Sequence, residues 1–180
     1  MGSERRSDPV EEIIAAWRRE RPQTPVDSIA VVTRIWQLAK HFGDDRRAVL
    51  AEAGIDPATL DLLSVLRRSG EPYTVSTREL AERSLVTAGA ITQRVARAEA
   101  LGLVRRHPAR KGSRAVHIEL TEAGHRLVEE TVDRVLRREA ELLSGLAPGQ
   151  RDELAALLGT LLDSVQETLG SSGVTHVGHG

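Results

Sequence analysis

Hydrogen-bond donors recur at helical spacing between residues 87 and 101. One face of a helix here would carry a polar set at i, i+3, i+4 and i+7: Ala90, Gln93, Arg94 and Arg97. The opposite face would carry the apolar Ile91, Val95 and Ala98. A helix in the DNA major groove needs both faces, because one anchors it and the other meets base edges and phosphates. The alternative is an ordinary amphipathic helix whose polar face meets only water.

The start of this helix favours a close approach to DNA. Small residues at 87–90 let the backbone come near a duplex, and the free amides of a helix N-terminus suit a phosphate. Gln93 is a candidate for bidentate contact with adenine, and Arg94 or Arg97 for guanine or phosphate. The predicted DNA-contacting set is Ser76, Thr77, Thr87, Ala88, Gly89, Ala90, Thr92, Gln93, Arg94, Arg97, Arg110, Lys111 and Arg114.

Charge is concentrated in the same region. The 180-residue chain has a net charge of −1, yet the segment 94–114 holds seven basic residues and one acid, Glu99. The segment therefore carries +6, which leaves −7 for the remainder. A local basic surface on an acidic protein is typical of phosphate binding, although a solvated basic loop gives the same count.

Helix caps and turn residues place these side chains within a small domain. Asp56-Pro57 begins a helix that Gly70 ends, and residues 73–75 are a candidate short strand. Ser76 and Glu79 form a capping-box pattern before a brief helix, and Thr87 caps the next, which ends at Gly102. Extended segments at 103–107 and 115–120 flank a turn-rich basic tip. This order predicts a winged helix-turn-helix fold, mainly α with a small β-hairpin wing.

Helices on both sides of this domain carry apolar stripes that need another surface. Asp8-Pro9 begins the first, a second is expected from Asp27 to Phe42 before Gly43, and a third short piece from Asp45 to Ala53. A homodimer joined through these N- and C-terminal helices would bury the stripes. The predicted division is 1–7 disordered N-terminus, 8–53 N-terminal dimerisation helices, 54–120 winged helix-turn-helix, 121–169 C-terminal dimerisation helices and 170–180 disordered tail.

The segment from Leu80 to Arg106 resembles the helix-turn-helix of MarR family regulators. Leu120-Thr-Glu-Ala-Gly124 matches the start of the helix that follows their wing, and residues 60–68 also fit the pattern. The resemblance extends over about residues 27–169. It implies a dimer with interlocking terminal helices and two winged heads on successive major grooves of a palindromic operator in double-stranded DNA.

The resemblance also raises two questions. The family commonly has an Asp that braces the wing arginine matched by Arg114; here Gly112 occupies that place, which leaves the wing geometry open. The N-terminal helix is similar to that of a branch responsive to urate and organic acids. The resemblance implies an anion pocket for a small effector at Trp17, Asp61, Arg94 and Arg106. Interface packing, a helix-terminal acid and phosphate contacts are the ordinary alternatives for these residues.

Other classes of site find little support. The chain has no cysteine, which excludes disulfides, thiol catalysis and thiol-based oxidant sensing. Its six histidines lack metal-ligand spacing, and we find no nucleophile motif or phosphate-binding loop. We therefore expect no enzyme activity, no metal and no cofactor. No apolar run is long enough to span a bilayer and no secretion signal is evident, so the expected location is the cytoplasm.

The sequence thus predicts a DNA-binding transcription regulator. The specific hypothesis is a repressor that a small ligand releases from its operator, with an anion as one candidate. A ligand-independent DNA binder or an activator remains an alternative. From a different class, a helical protein-interaction module without DNA binding could use the same leucine stripes.

Overall fold

The computed structural model describes residues 8–84, 86–107 and 116–170. These residues fall into two compact units, which divide between Asp45 and Arg46. In chain order the described elements are α1 (Pro9–Glu20), α2 (Ile29–Glu52), α3 (Pro57–Arg68), β1 (Thr74–Ser76), α4 (Thr77–Ser84), α5 (Ala88–Ala100), β2 (Val104–His107), β3 (His117–Leu120), α6 (Glu122–Leu142) and α7 (Pro148–Leu169). Of the predicted disordered segments 1–7 and 170–180, residues 1–7 and 171–180 lie outside the described residues, and Gly170 is the C-cap of α7.

The first unit has a small apolar core of its own. The Asp8 carboxylate caps α1 by accepting a hydrogen bond from the Val10 amide at 2.9 Å. This bond, followed by the Arg34 guanidinium, lowers the pKa of Asp8. Val10, Ile14 and Val26 are buried together. The cap and this cluster fix the start of α1 against the chain that leads into α2.

The helix α2 corrects the expected break at Gly43, because it runs without interruption from Ile29 to Glu52. A glycine inside a helix costs only about 1 kcal/mol relative to alanine, so good neighbours can carry the helix through it. An ion pair between Lys40 and Asp44, 2.6 Å long, spans the position. The helix ends before Gly54, whose φ of +71° is the left-handed conformation of a helix C-terminus.

The second unit contains the predicted winged helix-turn-helix. Its antiparallel sheet has the strand order β1-β3-β2, with Val75 opposite Ile118 and Val104 opposite Leu120. These four side chains are all buried and form the core face of the sheet. The helices α3, α4 and α5 complete the core with Leu63, Leu66, Leu80, Ile91 and Val95. The fold-class prediction, mainly α with a small β-hairpin wing, is confirmed.

The start of α6 is fixed against the end of α5. Thr121 caps α6 through a hydrogen bond from the Gly124 amide, and its hydroxyl donates to the Gly102 carbonyl oxygen at 2.7 Å. Gly124 packs so tightly on Leu103 that a Cβ there would lie 2.1 Å from the Leu103 carbonyl oxygen. Glycine is therefore required where α6 crosses the chain between α5 and the sheet.

The terminal helices expose large apolar side chains. Within α2, Val32 is 47% exposed and Trp36 is 70% exposed. None of the described residues of α7 is buried, and its apolar stripe is 38% to 73% exposed: Leu154, Leu157, Leu158, Leu161, Leu162, Val165 and Leu169. Among the described residues, no helix combines the length and apolarity that crossing a membrane requires.

Candidate nucleic-acid interface

The helix α5 presents one buried and one exposed face. Ile91, Val95 and Ala98 are at most 1% exposed and anchor it in the core. The Thr87 hydroxyl accepts a hydrogen bond from the Ala90 amide at 3.2 Å, which defines the first turn. Ala90 and Arg94 are partly buried, and the other predicted contact residues here are exposed: Thr87, Ala88, Gly89, Thr92, Gln93 and Arg97. Donor side chains and the helix N-terminus thus share one accessible surface.

The two predicted arginines of α5 have different surroundings. The Arg94 side chain is only 11% exposed and lies 3.8 Å from the Asp61 carboxylate of α3, which is 5% exposed. The Arg97 side chain is 63% exposed. Arg94 directly precedes the core residue Val95, so it projects beside the core, whereas Arg97 lies further round the helix. The structure therefore brings Arg94 to Asp61 and leaves Arg97 on the outer surface.

Arg97 forms an ion pair with Asp56, the residue that caps α3. Burial raises the pKa of Asp56, but the hydrogen bonds from Thr59 and the charge of Arg97 outweigh it, so that the pKa is lowered overall. Asp56 is therefore ionised at neutral pH. The sequence indicated the capping role of Asp56, but no local spacing connected it with Arg97, because the two meet only through the packing of α3 on α5.

Ser76 and Thr77 are less accessible than the predicted set required. Ser76 is 8% exposed, its hydroxyl lies 2.8 Å from the Glu79 carboxylate, and Glu79 also accepts from the Ser76 amide at 3.1 Å. These hydrogen bonds lower the pKa of Glu79. Ser76 thus forms the predicted capping box and contributes little surface, and Thr77 is half-buried.

The described part of the wing carries further charge on both faces. On the outer face, Arg105 lies 3.3 Å from Glu119, and His107 contacts the same carboxylate. Arg106 lies opposite Ile118 on the other face and forms a 2.9 Å ion pair with Glu99 of α5.

The predicted tip residues Arg110, Lys111 and Arg114, and Gly112, lie outside the described residues. Arg105 is one of the basic residues of the segment 94–114, but sequence reasoning did not pair it with Glu119, although the alternation of side chains along the two strands could have indicated the pair.

Three of the four residues of the predicted anion pocket lie in the second unit, where two of them meet. Asp61 and Arg94 meet, as described above. Arg106 instead has Glu99 as its partner at 2.9 Å. Trp17 is 44% exposed and belongs to α1 in the first unit.

Comparison with known proteins agrees with this architecture. Residues 53–115 match the model of the MarR family. This segment therefore resembles a MarR family domain. Over 150 residues the chain is 29% identical to the HTH-type transcriptional regulator PecS of Dickeya dadantii (strain 3937), a match that covers 83% of this chain and 90% of PecS.

Solved structures of MarR family proteins have the same fold. A mutant MarR from E. coli complexed with operator DNA superimposes with a TM-score of 0.62 and 22% identity, covering 81% of this chain and 97% of MarR. BpsR of Bordetella bronchiseptica, whose structure concerns regulation of its DNA binding by 6-hydroxynicotinic acid, gives a TM-score of 0.56 and 20% identity, covering 71% and 98%. These solved structures share the fold of this chain, and the relatives are named as regulators rather than enzymes.

The structure gives a reason for the MarR-like motif at residues 120–124. Thr121 joins the end of α5 to the start of α6, and Gly124 leaves room for the Leu103 carbonyl. The motif therefore fixes α5, the sheet and α6 relative to one another. Within the described ranges, no group of three His, Cys, Asp or Glu side chains could hold a metal ion.

Proposed function

We propose that this protein belongs to the MarR family and is a homodimeric repressor that binds a palindromic operator through α5 and is released by a small anionic ligand. The observation that carries the proposal is the exposed face of α5, on which Gln93 and Arg97 lie beside an accessible helix N-terminus. A rigid helix with an apolar anchor and an outer row of donors has the form of a major-groove reader.

Each part of this surface has a proposed role. Gly89 lies at the start of α5, where a Cβ would meet only the Thr87 hydroxyl oxygen, at 3.9 Å, so the backbone there is open to a phosphate. Gln93 would read adenine through its amide, and Arg97 guanine through its guanidinium. The predicted tip residues Arg110, Lys111 and Arg114 would follow the minor groove or backbone.

Dimerisation is proposed from the apolar faces of the terminal helices. The stripe of α7 is exposed in the single chain, and contiguous apolar surface of this kind marks an interaction site. A second copy that covers it would also supply a second α5. Two recognition helices about 34–36 Å apart would meet successive major grooves on one side of the duplex.

Ligand response is proposed from the Asp61–Arg94 pair. Both side chains are nearly buried, and an arginine in such a place binds a carboxylate strongly. An anionic ligand would compete with Asp61 for Arg94 and so shift α5 against α3, and Arg106 would be a further ligand contact. The response of BpsR to 6-hydroxynicotinic acid supports this class of ligand. A shift of a few ångströms in the spacing of the two α5 helices of a dimer would prevent them from contacting both half-sites of the operator at once.

The test is salt-dependent binding to duplex DNA selected by the protein from a random-sequence pool. We expect the logarithm of affinity to fall linearly with the logarithm of salt concentration, because bound phosphates release counterions. Arg97→Ala is expected to cost about 1–3 kcal/mol on the selected duplex. Arg138→Ala is the matched control. This arginine is exposed and lies on α6, about 21 Å along the helix from Gly124, the point at which α6 packs on Leu103 beside the end of α5.

The alternatives give different results in the same assays. A ligand-independent binder or an activator would bind DNA equally well, and a reporter gene behind the selected operator distinguishes repression from activation. An interaction module without DNA binding would enrich no sequence, and its weak binding would not depend on Arg97.

A further inference from the structure

The ion pair between Asp56 and Arg97 joins the cap of one helix to the outer face of another. One carboxylate oxygen of Asp56, Oδ1, accepts a hydrogen bond from the Thr59 amide at 2.7 Å. The other, Oδ2, contacts Nη1 of Arg97. The capping bond therefore fixes the acid before any DNA arrives, and Arg97 finds a partner of defined position on α3.

The surroundings of α5 restrict how Arg97 can respond. Its core face is buried, Arg94 meets Asp61 on the side of α3, and Glu99 meets Arg106 of β2. The helix is thus held by charged contacts from both neighbouring elements. Arg97 has five N–H donors, and the contact of Nη1 with Asp56 leaves donors on Nε and Nη2 for another partner.

We propose that Asp56 is a specificity-determining residue, which orients Arg97 for a base edge and weakens its attraction for phosphates in general. This inference rests on the proposed function. A free arginine loses side-chain freedom when it contacts a base, and Asp56 imposes part of that order in advance. The carboxylate also offsets the charge of the guanidinium, which lowers affinity for any backbone irrespective of sequence. The lowered pKa of Asp56 keeps this charge present at neutral pH.

The test compares Asp56→Asn with the wild-type chain on two probes: a duplex enriched by the wild type from a random pool, and the same duplex with its sequence shuffled. Asparagine caps a helix as well as aspartate does, so the variant loses the charge and keeps α3. We expect the ratio of selected to shuffled affinity to fall roughly threefold to fivefold, in keeping with an exposed ion pair. Serine is also a capping residue, so we expect Asp56→Ser to give the same result. This second variant replaces the first if Asp56→Asn folds poorly.

Two controls separate orientation from a general charge effect. Glu99→Gln removes an equal charge from α5 itself. If the effect of Asp56 were purely electrostatic, this variant would change the ratio of selected to shuffled affinity as much as Asp56→Asn does. In an Arg97→Ala background, Asp56→Asn should leave the ratio unchanged, because the residue it orients is gone.

The outcomes are distinguishable from failure of the proposed function. If the wild type enriches no sequence, the proposed function and this inference both fall. If the wild type binds its selected duplex and Asp56→Asn keeps the wild-type ratio, or if the change persists without Arg97, only the role of Asp56 is overturned.

Discussion

Gly124→Ala is the substitution whose effect the structure defines most sharply. In most helices the change from glycine to alanine gains about 1 kcal/mol. Here the new Cβ would lie 2.1 Å from the Leu103 carbonyl oxygen and 3.1 Å from its carbon, while Leu120 Cδ2 lies 3.2 Å away. The first two atoms belong to backbone, so no change of rotamer relieves the contact.

The magnitude follows from these two opposing effects. Overpacking a core costs about 1–3 kcal/mol and occasionally more, and a contact with backbone belongs at the upper end of that range. After subtraction of the gain in helix propensity, we expect a net loss of about 2 kcal/mol in the free energy of unfolding. For a chain of this length, that loss lowers Tm by roughly 4–8 °C.

The assay is thermal and urea unfolding at matched protein concentration, since dimerisation would make Tm depend on concentration. Gly149→Ala is the control, because it lies in the first turn of α7 and a Cβ there would meet nothing within 4 Å. It should be neutral or slightly stabilising. A Gly124→Ala protein as stable as the wild type would refute the packing of α6 on Leu103.

Two further predictions concern the capping box and the dimer. The pKa of Glu79 is lowered below its usual 4.5 by the hydrogen bonds from Ser76, so ionised Glu79 stabilises the fold above that pH and the stabilisation is lost as the pH falls. The stability difference between wild type and Glu79→Gln, measured by urea unfolding, should shrink as the pH falls through 4.5, and a difference independent of pH would argue against the box. Leu161→Asp should weaken dimerisation by about 3 kcal/mol or more in sedimentation equilibrium, because the proposed interface would bury this leucine of each protomer. Thr160→Asp, which carries the same charge on the other side of α7, should not; equal weakening by both would contradict the stripe as the interface.

Helix starts could be predicted because their chemistry is local. Asp8 and Asp56 each precede a proline at the first helical position, and both cap a helix in the structure. The Ser76–Glu79 box and the Thr87 cap likewise depend on residues three apart. Such signals depend on neighbouring residues and not on how the rest of the chain packs. The start of α6 at Thr121 is of the same kind.

Helix continuation and side-chain partners could not be derived in the same way. Gly43 and Gly54 look alike in sequence, yet only Gly54 adopts a positive φ at a helix end, because the residues around Gly43 keep the helix intact. Arg94 and Arg97 share one predicted face, but a rotation of about 60° about the helix axis separates burial beside Asp61 from exposure beside Asp56. Asp61 lies within α3 and Asp56 caps it, so only the packing of α3 on α5 assigns the partners.

The central claim is that two α5 helices of one dimer occupy successive major grooves. Hydroxyl-radical footprinting on the duplex that the wild type selects tests this most directly. We predict two protected half-sites with centres about 10–10.5 bp apart, related by a twofold axis, both weakened together by Arg97→Ala. Protection of a single half-site, or a footprint that Arg97→Ala leaves unchanged, would contradict it.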